Sequence, residues 1–519
     1  MKKNIKKIFD SYILDKKPLF ILEMANNHMG DVNHGLKIIR EFYKVTKNFD
    51  FDFAFKFQYR YLDTFVHPDY LHSEHSKIKR FAETILSEEQ YQALKDEVDK
   101  FKMISICTPW DNKAVELIAR QGFDIVKVPS CYFNDWPLLE KIAETKLPVI
   151  ASTAGATLED IDRVVSFFQH RKIQFALMHC VGEYPTANDA LDLNQIDLLK
   201  KRYVGVPIGF STHEGPENLD SIKIAIAKGA TIFEKHVGVP TEEFKLNNYS
   251  VTPEILGKWL ESAEVALSMC GKTSGRHVIS SKEKADLRIL HRGVFAKKEL
   301  KIGDKLDKNN VFFAMPNVDG QLVANDFSKY AQYVCKKKIS LKASINLSDL
   351  TVTDQRSKII NIINNVKKIL SEAKIVLPNQ VEMEISHHYG IDLFKEVGAV
   401  IINIVNREYC KKLIVLFPGQ KYPNHNHKKK EETLQVVYGS MQLIKNKHIE
   451  KLGMGDISVI ERDVPHSFST TNGVVFEEIS TTYYKGDSYW KDKKIDQNLD
   501  RKTFLTYWTD DFNCSGSIK

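Results

Sequence analysis

LFILEMANNH, residues 19–28, is the stretch from which the fold can be read. Four apolar residues run into Glu23, and a polar turn follows through Asn26, Asn27 and His28. An unbroken apolar run of this length suits a strand covered on both faces, as in a parallel sheet. The pattern recurs in FAFKFQY (53–59), MISICTPW (103–110), IVKVPS (125–130) and PVIASTA (148–154). It continues in QFALMHC (174–180), VPIGFSTHE (206–214) and TIFEKHV (231–237). Intervening segments such as AVELIARQG and DSIKIAIAKGA carry apolar residues three and four apart, the helical period. Eight strand–helix units predict an α/β protein with a closed (β/α)₈ TIM barrel, ahead of an open doubly wound sheet.

A barrel demands that functional side chains gather at the C-terminal strand ends. Every run does end in such groups: Glu23, Asn26, Asn27 and His28; Lys56 and Gln58; Thr108; Lys127 and Ser130. Ser152 and Thr153, His179, Ser211 and His213, and Glu234 and His236 complete the set. Two lysines, Lys56 and Lys127, with the hydroxyls of Thr108, Ser130, Ser152 and Ser211, suit a phosphate or carboxylate cradle. His213 and His236 lie on neighbouring strands, where two neutral imidazoles can share a divalent transition metal.

The remaining sequence divides by texture. With 519 residues, two to four domains are expected. We expect the barrel over 1–280, a small β-rich module of two related halves over 290–352, and a helical linker over 353–379. The linker helix is expected over 353–372, N-capped by Thr353 or Asp354, either as a connector or packed against the next domain. Short, evenly spaced strands over 380–490 predict an antiparallel all-β barrel, followed by a polar tail over 491–519. The net charge of +7 is a mild excess that suits small anionic substrates or simply solvated lysines. No basic arm points to nucleic acid. Seven cysteines lack any CxxC pair, and Cys107, Cys131 and Cys180 lie in or beside apolar runs, as reduced thiols do. The basic start MKKNIKKIF leads into no apolar leader, and no run approaches a membrane span of roughly 18–20 residues, so a cytoplasmic protein is expected.

The motifs themselves resemble a known family. ILEMANNHMGD resembles the E-x-x-x-N-H-x-G-D opening of the sialic acid synthase family, and FKFQ, TPWD, KVPS, STAGATLEDI, HCVGEYP, GFSTHEG and EKH follow in that family's order. The resemblance spans roughly residues 18–350, so that 290–352 resembles the family's antifreeze-like (SAF) domain. It implies condensation of phosphoenolpyruvate with an N-acylated hexosamine aldehyde and release of phosphate. Lys56, Gln58, Thr108, Ser130, Ser152, Tyr184 and Ser211 would then serve the substrates. Glu23, Lys127, His213 and His236 would be catalytic, with manganese on the two histidines. Tyr132 and Gly182 stand where the family carries an acidic residue and an asparagine. TEEFKLNNYS replaces its G-P-D segment, and Met315-Pro316-Asn317 its R-P-G. The phosphoenolpyruvate half of the pattern is kept and the sugar half rewritten, which implies a different aldose. A related synthase of 3-deoxy sugar acids and a carbohydrate-binding protein without catalysis are the competing readings.

Gly419-x₅-His425-x-His427-x₄-Glu432-x₆-Gly439 resembles the first cupin motif, and Gly455-Asp456 with Pro465-His466 a loosened second one. Residues two apart on a strand share a face, so His425 and His427 look into one cavity. With Glu432 and His466 they can hold a second divalent metal, zinc, manganese or iron. Metal-dependent sugar isomerisation, sugar binding and a regulatory or assembly role are all open to such a domain. The family resemblance further implies a homodimer in which each SAF domain covers the partner's barrel; sedimentation should show a dimer, and a monomer would contradict that arrangement.

Overall fold

All eight apolar runs form strands: β1 (Leu19–Glu23), β2 (Asp52–Tyr59), β3 (Ile104–Pro109), β4 (Ile125–Val128), β5 (Val149–Ser152), β6 (Phe175–Cys180), β7 (Ile208–Thr212) and β8 (Ile232–His236). In the computed structural model they close in sequence order into a parallel barrel, β8 pairing back onto β1. The structure describes residues 9, 17–271, 276–328, 330–378 and 380–509. The basic start, apart from Phe9, and the end of the tail lie outside the described residues.

Strand alternation sorts the side chains. Leu19, Ile21, Ala54, Ile106, Ile125, Ile150, Met178 and Ile232 fill the barrel interior. Residues of opposite parity, such as Phe20, Leu22, Phe57, Val126, Leu177 and Phe233, pack under the helices. Gly209 is needed for closure: a Cβ there would lie 2.3 Å from the Met178 sulfur and 2.4 Å from the Ile232 carbonyl. The register sets Glu23 opposite both Lys56 and His236, and Ser211 opposite Glu234. Between Glu234 and His236, Lys235 points outward, where its ammonium meets Glu214 at 3.1 Å and Thr212 at 3.3 Å in complete burial. Ser221 donates to the same Glu214 carboxylate.

The surrounding helices start on residues that satisfy their free N–H groups. Asp31 caps α1 (Val32–Thr46), Ser87 and Gln90 form a capping box at α2 (Glu88–Lys100), and Asp111 caps α3 (Asn112–Gln121). Asp135 and Thr157 do the same for α4 (Trp136–Glu144) and α5 (Leu158–His170). Helices α6 (Asn194–Arg202), α7 (Asp220–Ala227) and α8 (Pro253–Cys270) complete the outer ring.

The chain separates into two compact units, 1–277 and 278–519. The second opens with α9 (Ser281–Ile289) and the small module, where β9 (Gly293–Ala296) pairs with β10 (Val311–Ala314) and β11 (Ala331–Cys335) with β12 (Leu350–Asp354). The two Lys-rich repeats meet at Leu300 and Ile339, which exchange backbone hydrogen bonds at 2.9 and 3.0 Å. Helix α10 (Arg356–Glu372) starts later than expected, because Thr353 and Asp354 remain in β12. Asp354 accepts from Arg356 N–H, but Gln355 occupies the cap position without a side-chain bond. Of the two roles open to it, this helix takes the second and packs against the next domain: Ile359, Ile362, Val366 and Leu370 belong to the core beneath the following sheet.

That sheet comprises β13 (Glu382–Ser386), β14 (Ala399–Asn406), β15 (Tyr409–Leu416), β16 (Lys421–His427), β17 (Glu432–Lys445), β18 (His448–Gly453), β19 (Ile457–Ile460), β20 (His466–Ser469), β21 (Val474–Thr481), β22 (Ser488–Trp490) and β23 (Lys502–Leu505). They form one continuous eleven-stranded sheet in the main order β22-β16-β20-β17-β21-β15-β14-β13-β23. The tail takes part: β23 pairs with β13, and the Trp508 indole donates to Val381 O from within the core.

The turn after β1 makes the first unit acid-sensitive. His28 is buried, and its Nδ1 accepts from Gly30 N–H at 3.1 Å, which only the neutral ring can do. Burial, then the charges of Arg60 and His34, lowers its pKa to about 3. The unfolded chain, with a His pKa of about 6.5, takes up this proton first. The stability due to neutral His28 is therefore complete above that pH and is lost as pH falls from there towards 3. Asn at this position keeps an acceptor but cannot titrate. Circular-dichroism melts of His28→Asn should show a shallower fall of Tm over that range than the wild type; an equal slope would contradict the assignment.

Candidate active site

Inward parity brings Glu23, Lys56, Gln58, Thr108, Lys127, Ser152, Ser211, Glu234 and His236 together at the C-terminal mouth of the barrel. Lys56 Nζ contacts Glu23 Oε2 and lies 3.1 Å from Glu234 Oε1. Lys127 Nζ lies 2.8 Å from Glu234 Oε2, and Ser211 donates to Glu234 Oε1 at 3.2 Å. Behind this ladder Gln58 donates to Glu23 at 3.1 Å, and Arg60 donates to Gln58 at 2.8 Å and to Asn26 at 3.0 Å. The Arg60 guanidinium lies against the rings of Phe81 and Trp110. Thr108 Oγ1 and Ser152 Oγ are buried without a hydrogen-bond partner, two free hydroxyls beside two lysines. Ser130, in the loop after β4, accepts from Ala154 N–H at 3.2 Å.

The two carboxylates are pushed in opposite directions. Burial raises the Glu23 pKa, and Glu234 adds to it against the pull of Lys56. Glu234 is equally buried, but Lys127 and Lys56 outweigh burial and hold it well below the usual carboxylate range. Such divergence separates a carboxyl that can carry a proton from one that stays anionic. Burial lowers the pKa of Lys127, with Lys56 adding to it against Glu234; burial also opposes the charge on Lys56, but Glu23 and Glu234 hold its pKa up.

The rings of His213 and His236 are 5.3 Å apart. Burial lowers the His213 pKa to about 4 and takes His236 well below its ordinary value, so both are neutral bases at pH 7. His213 Nδ1 donates to Val181 O at 3.1 Å, and His236 Nδ1 is buried without a partner. This donor pair suits a divalent metal, with further ligands from water or substrate. Tyr184 stands over His213 at 4.2 Å, half exposed at the rim. Tyr249 lies edge-on to His236 at 5.0 Å and to His213 at 6.1 Å. It comes from the rewritten TEEFKLNNYS segment, whose ends are tied by the Val237–Val251 bridge. Asn247 shapes the segment by accepting from Tyr249 and Ser250 N–H.

Other polar strand ends turn away from the mouth. His179 has outward parity and bonds Leu191 O through Nε2 at 2.8 Å. Thr153 donates to Met178 O, and Asn27 donates to Val237 O and Ser250 Oγ. In the small module Asn317 is consumed internally, donating to Arg288 O at 2.8 Å and His291 O at 2.7 Å.

The second unit assembles His425, His427 and His466, whose ligand atoms lie within 4.8 Å of one another. Each Nδ1 meets a backbone carbonyl: Pro423 O at 2.9 Å, Asp487 O at 2.8 Å and Val464 O at 3.0 Å. A carbonyl only accepts, so each Nδ1 carries the hydrogen and each Nε2 keeps its lone pair. Glu432 lies 3.4 Å from His427 Nε2 and 3.2 Å from His466 Nε2. Lys430, which reads in sequence as part of an exposed charge run, is buried between Glu432 and Glu478.

The comparisons with known proteins agree with the barrel geometry. The model of the NeuB family matches residues 45–274. This segment belongs to the NeuB family. The chain is 50% identical to a crystallised Chromobacterium violaceum protein named for spore coat polysaccharide biosynthesis protein E, over 64% of this chain and 100% of that one, with a TM-score of 0.63. It is similar to the N-acetylneuraminate-9-phosphate synthase of Drosophila melanogaster, 30% identical over 42% of this chain and 59% of that protein. The N,N'-diacetyllegionaminic acid synthase of Campylobacter jejuni is 25% identical over 58% of this chain and 91% of that protein.

Within the NeuB segment, sequence reading passed over Arg60 and Tyr249 and left Glu234 without a role. Glu234 was marked by its inward parity, two residues before His236. Tyr249 follows no strand period, because a loop carries it. If the site takes phosphoenolpyruvate and an aldose, as the family resemblance implies, and Tyr249 presents its ring to the aldose, Tyr249→Ala should raise the aldose KM about tenfold, the loss of one aromatic contact, and leave the phosphoenolpyruvate KM unchanged. Equal rises in both would place the residue elsewhere in the mechanism.

Proposed function

We propose that the barrel is a nonulosonic acid synthase, joining phosphoenolpyruvate to an aldose of the N-acylhexosamine type and releasing phosphate. The observation that carries this reading is the Glu23–Lys56–Glu234–Lys127 ladder, set beneath the unpartnered hydroxyls of Thr108 and Ser152 and beside the His213–His236 pair. The two curated relatives described above are named as synthases of nine-carbon acids, which supports the same reaction class.

Lys56 and Lys127 neutralise the phosphate and carboxylate of phosphoenolpyruvate, and Thr108, Ser130, Ser152 and Ser211 hydrogen-bond their oxygens. The methylene carbon of phosphoenolpyruvate bonds to the aldehyde carbon. Water adds to the cationic C2 that results and loses one proton, which replaces the one given up by Glu23; the C2–O bond to phosphate then breaks as the new hydroxyl becomes the keto group and its proton leaves with the phosphate. Glu23, with its raised pKa, carries the proton that the aldehyde oxygen gains as it becomes a hydroxyl. Gln58 and Arg60 fix the Glu23 carboxyl, while Glu234 remains the permanent counter-ion of the lysines. His213 and His236 would hold a divalent metal, manganese by family precedent, which supplies a Lewis acid for the aldehyde oxygen.

We read residues 290–352 as an SAF module and the eleven-stranded sheet as a cupin-like domain that holds a second divalent metal at His425, His427, His466 and Glu432 and handles a sugar there. The spent Asn317 and the Tyr249 loop support an aldose other than N-acetylmannosamine. The test is phosphate release from phosphoenolpyruvate with manganese across a panel of N-acylated and plain aldoses. Release should occur with at least one aldose and fall roughly 10²–10⁴-fold in kcat for Glu23→Gln, the range for a lost proton-transfer group. Absence of release with every aldose would sink the synthase reading.

A further inference from the structure

The cavity inside the eleven-stranded sheet, of about 680 Å³, has the three-histidine centre on one wall. Most of its cations are already answered. Lys430 sits between Glu432 and Glu478, Lys412 lies 3.4 Å from Glu478, and Lys502 lies 2.7 Å from Glu384. Lys485 is exposed. Arg501 differs, because its Nη1 is buried without a hydrogen-bond partner. The guanidinium lies 5.5 Å from the ring of Trp490, whose Nε1 is also buried and unpartnered. Trp490 is 3% exposed and stacks on His425 at 4.9 Å, so this wall adjoins the histidine centre. Behind Trp490, His388 is kept neutral by burial, its pKa lowered to about 3, and contributes no second charge.

An indole N–H and a guanidinium N–H donate and never accept. Two such unpartnered donors, one of them cationic, call for a group that presents only acceptors, and a carboxylate does so. A neutral sugar can accept from these groups through its hydroxyl oxygens, but it leaves the guanidinium charge unanswered. The barrel, on the reading given above, makes a sugar that carries a carboxylate.

We infer that this cavity binds a sugar acid, its carboxylate held by Arg501 and Trp490 and its hydroxyl or oxo oxygens facing the histidine centre. The inference rests on reading His425, His427 and His466 as a metal centre and goes beyond it by naming the ligand class. The domain then receives what the barrel produces, not what the barrel consumes.

Calorimetry on the full chain loaded with manganese, with Lys127→Met to disable the barrel, tests this. The probes are N-acetylneuraminate, neutral N-acetylmannosamine and N-acetylmannosamine 6-phosphate. N-acetylneuraminate should bind at least about tenfold more tightly than either aldose, the range of one charge-assisted hydrogen bond. Arg501→Gln should abolish that preference, and Trp490→Phe, which keeps the ring and loses the N–H, should reduce it. Equal binding of the neutral aldose, tighter binding of the phosphate, or a preference unchanged in Arg501→Gln would overturn the inference while leaving the metal centre intact. Metal analysis separates the two ideas: His466→Ala should lose bound metal, and a variant that keeps all of it overturns the centre and the inference together.

Discussion

Ionisable groups buried at the mouth of a barrel keep their charge only where each faces an opposite. Taking an ion out of water costs several kcal/mol, and removing one member of a buried pair costs about 3–5 kcal/mol because the other is stranded. The Glu23–Lys56–Glu234–Lys127 ladder meets this condition through strand register: β1 faces β2 and β8, and Lys127 reaches across the barrel from β4. Lys235 and Glu214 hold β8 from its other face. A slip of one residue in β8 would put Lys235 into the barrel and Glu234 under the helices, uncoupling both pairs at once. The chemistry of the mouth and the register of the barrel are therefore one constraint.

The barrel was legible in sequence because parallel strands write their burial as unbroken apolar runs, and all eight runs became strands. Most of the mouth was legible for the same reason, since Lys56, Thr108, Lys127, Ser152, Ser211 and His236 follow the parity of the interior residues. His179 shows where reading by position alone fails: it ends a strand on the outward face. Tyr249 and the stacked Arg60 were not legible, because loops and cross-strand stacking leave no period in the text. Lys430 was hidden for another reason, since a lysine in a KKKEE run reads as solvated until the sheet folds over it.

In the second unit, the H-x-H spacing gave two histidines on one face, and the third came from a separate strand, paired opposite His425. The hydrogen bonds that fix their tautomers come from backbone carbonyls, which no side-chain pattern encodes. The start of α10 was misplaced because Asp354 is a good cap by type, while the pairing of β12 with β11 holds it in a strand.

The loop that carries Tyr249 enters and leaves through one backbone bridge, between Val237 and Val251, directly beyond His236. What lies between those two residues is held to its surroundings by side chains, as where Phe244 meets the ring of His34 at 4.9 Å and Asn27 donates to Ser250, and not by pairing in the barrel sheet. The barrel thus separates inheritance into two layers: a floor whose residues are locked to one another by charge, and a replaceable cassette above it. On the synthase reading proposed above, new sugar preferences would arise in the cassette while the floor is passed on unaltered.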